Sequence, residues 1–127
     1  MPRRKDKAVA AISESDVDKY KMLFGLLSSL YSDVQDLARK KQDGHLSKIR
    51  IGMVNRLLIE IKSLIANEPT VAFLDTLDED TIPQNADALI ILGQHMAALR
   101  QFKMKYSTNT YGTTHWVTGQ KDEESDA

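Results

Sequence analysis

The sequence predicts an all-α fold: a small helical bundle of three long helices, an antiparallel hairpin plus a third helix, with one short connecting helix. Two observations carry this expectation. Apolar residues recur at alternating spacings of 3 and 4 through three long segments, the signature of one buried helix face. Gly44, Pro69 and Pro83 fall between those segments, where turns are needed.

The first helix is predicted from about Asp16 to Lys41. Ser15 and Asp18 have the spacing of a capping box, in which a hydroxyl and a carboxylate cover free amides of the first turn. Tyr20, Leu23, Leu27, Leu30, Val34 and Leu37 then form a heptad-like seam, widened by Phe24, Tyr31 and Ala38. Arg39, Lys40 and Lys41 complement the helix dipole, and Asp43-Gly44 supplies the turn.

The second helix is predicted from about Ser47 to Asn67, with Ile51, Val54, Leu58, Ile61 and Ile65 on its core face. Pro69 disfavours helical geometry at Glu68 and stops it. Thr70 is a candidate cap for a short helix holding Val71 to Leu74 and Leu77. The third long helix is expected to begin between Pro83 and Asn85 and to end near Tyr106, with a main stripe of Leu89, Leu92, Met96, Leu99, Phe102 and Tyr106.

The first half of that third helix is unusual. Ala88-Leu89-Ile90-Ile91-Leu92 is apolar on every face, and such a segment needs cover all round. Three helices cover it only in part, so Ile90 and Ile91 are expected to stay half exposed in a lone chain. Each long helix also carries a mid-helix glycine (Gly25, Gly52, Gly93), at a cost of about 1 kcal/mol each relative to alanine. Close helix approach would offset that cost. Gly25, Ser29, Ile90, Ile91, Gly93 and Ala97 are therefore the candidate self-association residues, and a homo-oligomer, with a dimer favoured, is the expected state.

At 127 residues the chain reads as one domain. Its expected parts are a basic flexible arm over 1–14, the helical bundle over 15–106, and a polar, acidic, partly disordered tail over 107–127. The tail holds Tyr111, His115 and Trp116, which leave three readings open: a strap over the chain's own bundle, an element docking on a protein partner, or plain disorder. The basic start followed by Ala8 to Ile12 is too short in its apolar run for a signal peptide. No apolar stretch is long enough to span a membrane, so no membrane partner is expected. The absence of cysteine excludes disulfides and thiolate chemistry and favours a cytoplasmic location.

Net charge is −1, so no global field recruits nucleic acid. The charge is nonetheless uneven. Residues 68–88 hold six acids and no Lys or Arg, between two basic helices. Asp75, Asp78, Glu79, Asp80 and Asp87 lack the glycine and spacing of a calcium loop and read as a solvated connector. His45, His95 and His115 have no acid or second histidine at i+3 or i+4, so no zinc pair is visible, and His95 reads as a rim residue with one solvated nitrogen. No nucleophile elbow, phosphate loop or dinucleotide fingerprint occurs, and no cofactor is expected.

These features favour a non-enzymatic helical protein–protein interaction or scaffold module that self-associates. One alternative is a nucleic-acid-associated accessory protein using the arm (Arg3, Arg4, Lys5, Lys7) and the helix ends, with Arg39, Lys40, Lys41, Lys48 and Arg50 as possible phosphate contacts. A second is a small enzyme or ligand-binding bundle with a pocket that the sequence does not reveal.

Overall fold

The computed structural model describes residues 11–41 and 43–118. The basic arm's Arg3, Arg4, Lys5 and Lys7 and the acidic end of the tail lie outside the described residues. The elements are α1 (Glu14–Lys40), α2 (Lys48–Leu64), a short 3-10 helix (Pro69–Phe73), α3 (Asn85–Lys105), β1 (Ser107–Thr110) and β2 (Thr113–Trp116).

α1 spans 27 residues, about 40 Å of helix. Its cap is Ser13, whose hydroxyl accepts from the Asp16 amide at 3.0 Å, and not the Ser15–Asp18 pair of identical form. The choice between them is tertiary. Ile12 is buried and donates its amide to the Val117 carbonyl at 2.9 Å, which fixes the chain just ahead of Ser13. α2 is capped by Ser47, which accepts from the Arg50 amide at 3.2 Å.

The turn between α1 and α2 is also where α3 begins. Asn85 donates its amide to the Gly44 carbonyl at 2.7 Å and Leu46 donates to Pro83 at 3.0 Å. A Cβ on Gly44 would stand 3.2 Å from both the Asn85 carboxamide and Lys41, so only glycine allows this approach without displacement. α3 then runs antiparallel to α1 and reaches its far end, where Phe102 stacks on Tyr20 with ring centres 6.2 Å apart.

To bring α3 back to that turn, the connector over 65–84 runs the length of the bundle. It lies across α2 and α3: Leu77 pairs with Asn55 of α2, and Asp75 pairs with Gln94 of α3. Pro69 heads a 3-10 helix within it, in place of the Thr70-capped helix expected. The connector therefore does the work of a fourth layer. Leu77 is buried and Val71 and Leu74 pack on the core from outside the three helices.

The apolar segment at the start of α3 is covered unequally. Ala88 and Leu92 are buried, Leu89 and Ile91 half-buried, and Ile90 is 64% exposed. The stripe is also rotated from the expected one, centring on Ala88, Leu92, His95, Leu99 and Phe102, while Leu89 and Met96 move to its flank.

The all-α expectation fails at the C-terminus. Residues 107–116 form an antiparallel β-hairpin, with Ser107 opposite Trp116 and Thr110 opposite Thr113. Tyr111 and Gly112 make its two-residue turn with φ of 51° and 81°, the left-handed pair that matches strand twist. The physical reason lies in Thr108, Thr110, Thr113 and Thr114, whose β-branched side chains favour extended backbone on either side of a Tyr-Gly turn. Four-residue strands carry too few positions to show a period. Trp116 then packs edge-on against Tyr20 at 5.0 Å, and the Val117 amide donates to the Tyr106 carbonyl at 2.8 Å, so the hairpin is fastened to its own bundle.

Candidate interaction site

With the connector over α2 and α3, the opposite side of the hairpin, between α1 and α2, is left open. It forms a groove of about 690 Å³ lined by Met22, Leu26 and Leu30 of α1 and Met53 and Leu57 of α2. The main seam of α1 points at the core. Met22 and Leu26 sit to one side of it and Leu30 at its edge, turned toward α2, where no third helix covers them among the described residues. Met22 is 55%, Leu26 53% and Met53 45% exposed. Unbranched methionine side chains suit such a surface, because they adapt to different apolar partners.

Charged residues frame the groove. At the turn end, Arg50 Nε donates to Asp33 at 3.1 Å and ties the two helices together. Asp36 and Arg39 pair along α1 at 3.0 Å. Arg56 and Glu60 line the α2 side. An apolar trough with acidic and basic residues on its rim offers burial to an amphipathic helix and charge contacts at its edges.

The six candidate self-association residues are not brought together. Ser29 lines the groove, with exposed Gly25 nearby on α1; Ile90, Gly93 and Ala97 lie on α3, and Ile91 is packed on the core. A Cβ at Gly25, Gly52 or Gly93 would meet nothing within 4 Å among the described residues, so none of the three marks a close helix crossing inside the chain.

The tail residues separate likewise. Trp116 is engaged with Tyr20, while His115 and Tyr111 are exposed. The possible phosphate contacts gather around the α1–α2 turn, but Arg39 and Arg50 are paired with Asp36 and Asp33, leaving Lys40, Lys41 and Lys48 on the surface. Among the described residues no group of three or more His, Asp or Glu side chains is placed to hold a metal ion, and no helix is long and apolar enough to cross a membrane.

His95 is not a rim residue. It is fully buried beneath the connector, its Nδ1 on the Ile91 carbonyl at 2.9 Å and its Nε2 without a hydrogen-bond partner among the described residues. Burial lowers its pKa, and the nearby Lys62 ammonium lowers it further; the Ile91 carbonyl and the Asp75 carboxylate oppose this. The ring is held neutral inside the core, away from the groove.

Comparison with known protein families, curated proteins and solved structures gives no match to this chain. The groove is thus read from its own geometry. The sequence carried a signal for it. Met22 and Leu26 lie beside the main α1 seam and, with Leu30 of the seam's edge, form a second apolar row, and Met53 lies beside the α2 stripe. Only the placement of the connector on the other side shows that this row has no cover among the described residues.

Proposed function

We propose that this protein is a non-enzymatic helical interaction module whose docking face is the α1/α2 groove, and that its partner presents an amphipathic helix. The observation that carries this is the uncovered apolar row of Met22, Leu26 and Met53, each about half exposed, above half-buried Leu30 and Leu57. A helix seated there would complete a four-helix arrangement around two helices that now have a covered side and a bare one. Burying such side chains is favourable by about 25 cal/mol per Å² of apolar surface removed from water.

The test is methionine-methyl NMR of the full chain titrated with a synthetic amphipathic peptide carrying leucine at i, i+4 and i+7 and lysine elsewhere. Met22 and Met53 signals are expected to shift, while Met104, exposed on α3, serves as the control. Unchanged spectra, or equal shifts of all three, would overturn the reading.

A further inference from the structure

Met22, Leu26, Leu30 and Asp33 of α1 line the groove, Lys19 continues their face one turn beyond it, and the five together have an internal symmetry. Lys19, Met22, Leu26, Leu30 and Asp33 follow one another at spacings of 3, 4, 4 and 3. At 100° per residue they fall within about 80° of arc, a single face of the helix. Met22 and Leu30 each lie about 6 Å along the axis from Leu26, and Lys19 and Asp33 each about 10 Å. The two ends carry opposite charge.

We infer that the helix that occupies the groove is α1 of a second copy of this chain, packed antiparallel about a two-fold axis at Leu26. This rests on the groove being a docking face, and adds the identity of the occupant. An axis at Leu26 sets Leu26 against its own copy, Met22 against the copy's Leu30, and Lys19 against the copy's Asp33. Every apolar residue of the row then meets an apolar residue, and the row's two charges, Lys19 and Asp33, meet their opposites, twice over by symmetry. A parallel arrangement would set lysine on lysine and aspartate on aspartate. Among the described residues Lys19 has no ion-pair partner, and Asp33 uses Oδ2 toward Arg50, leaving Oδ1 for a second donor. Ser29 beside the row is small enough to let the two helices approach.

The absence of cysteine makes the geometry directly testable. Leu26→Cys places a thiol on the proposed axis, so mild oxidation of the full chain should give a disulfide dimer. Ile90→Cys on α3 should not cross-link. Light scattering of the natural chain over micromolar concentrations should show a reversible dimer. Lys19→Asp should weaken it at least tenfold, and Lys19→Asp combined with Asp33→Lys should restore it. Because Lys19 is exposed and has no ion-pair partner among the described residues, its substitution leaves the fold intact, which circular dichroism checks. Cross-linking through Ile90→Cys in place of Leu26→Cys overturns the inference, as does failure of the double variant to recover. A natural chain that stays monomeric yet shifts Met22 and Met53 with the amphipathic peptide also overturns it, while leaving the groove as a site for another protein's helix. A monomer with no peptide response overturns both.

Discussion

Asn55 binds the backbone of Leu77 with both ends of its carboxamide, Nδ2 donating to the Leu77 carbonyl and the Leu77 amide donating to Oδ1, each at 2.9 Å. In effect a side chain of α2 pairs with the connector as a neighbouring strand would. Both partners are buried. Asn55→Ala would leave two backbone groups unpaired away from water, at about 1–3 kcal/mol each. Chemical denaturation is expected to show a loss of roughly 2–6 kcal/mol, counting both groups. Asn55→Asp keeps an acceptor for the Leu77 amide but sets a carboxylate against the Leu77 carbonyl and near Glu79. It should therefore be less stable at pH 7 than at pH 4 relative to the natural chain.

His95 predicts the pH dependence of stability. Its pKa in the folded protein is lowered, by burial first and by Lys62 second, so the unfolded chain binds its proton more readily. The stability contributed by the neutral ring is therefore fully present above the unfolded value of about 6.5. It is lost progressively as pH falls toward the folded pKa. Urea unfolding between pH 7.5 and pH 5 should show this decline, and His95→Leu should flatten it. An equal slope in the two proteins would show that the ring is not the source.

Trp116 is the only tryptophan, and it sits on Tyr20 with Lys103 Nζ 5.9 Å from its ring centre. Its fluorescence therefore reports hairpin docking, while far-UV circular dichroism reports the helices. The two unfolding curves should coincide. Trp116→Ala should cost about 2 kcal/mol, below the 3–5 kcal/mol of a fully buried aromatic, because the side chain is only half-buried.

The hairpin turn holds a bulky residue in a backbone region that suits asparagine or glycine. Tyr111 has φ of 51° and is fully exposed. Tyr111→Asn should relieve strain without removing a contact, raising stability by about 0.5–1 kcal/mol. Thermal denaturation followed through Trp116 would register the gain.

Much of the bundle was legible in the chain. The seams of α1 and α2, the start of α2 near Ser47, the turn at Gly44 and the start of α3 between Pro83 and Asn85 all follow from local chemistry: apolar periodicity, and glycine and proline between the helices. The hairpin over 107–116 was not legible, because strands of four residues held by threonines carry little periodicity, and their pairing is decided by a two-residue turn. The cap at Ser13 was missed for a different reason: two identical capping patterns lie two residues apart, and a contact with Val117, a hundred residues away, selects between them.

The candidate site divides in the same way. Helical periodicity alone sets Met22 and Leu26 beside the main seam of α1, with Leu30 at the seam's edge, regardless of what the rest of the chain does. Only the tertiary structure decided that this row is bare and that His95 is buried, because both depend on where the connector runs. Residues 65–84 carry no long-range periodicity of their own. Asn55, Gln94 and Leu77 steer them across α2 and α3, which covers one side of the bundle and leaves the groove between α1 and α2 open.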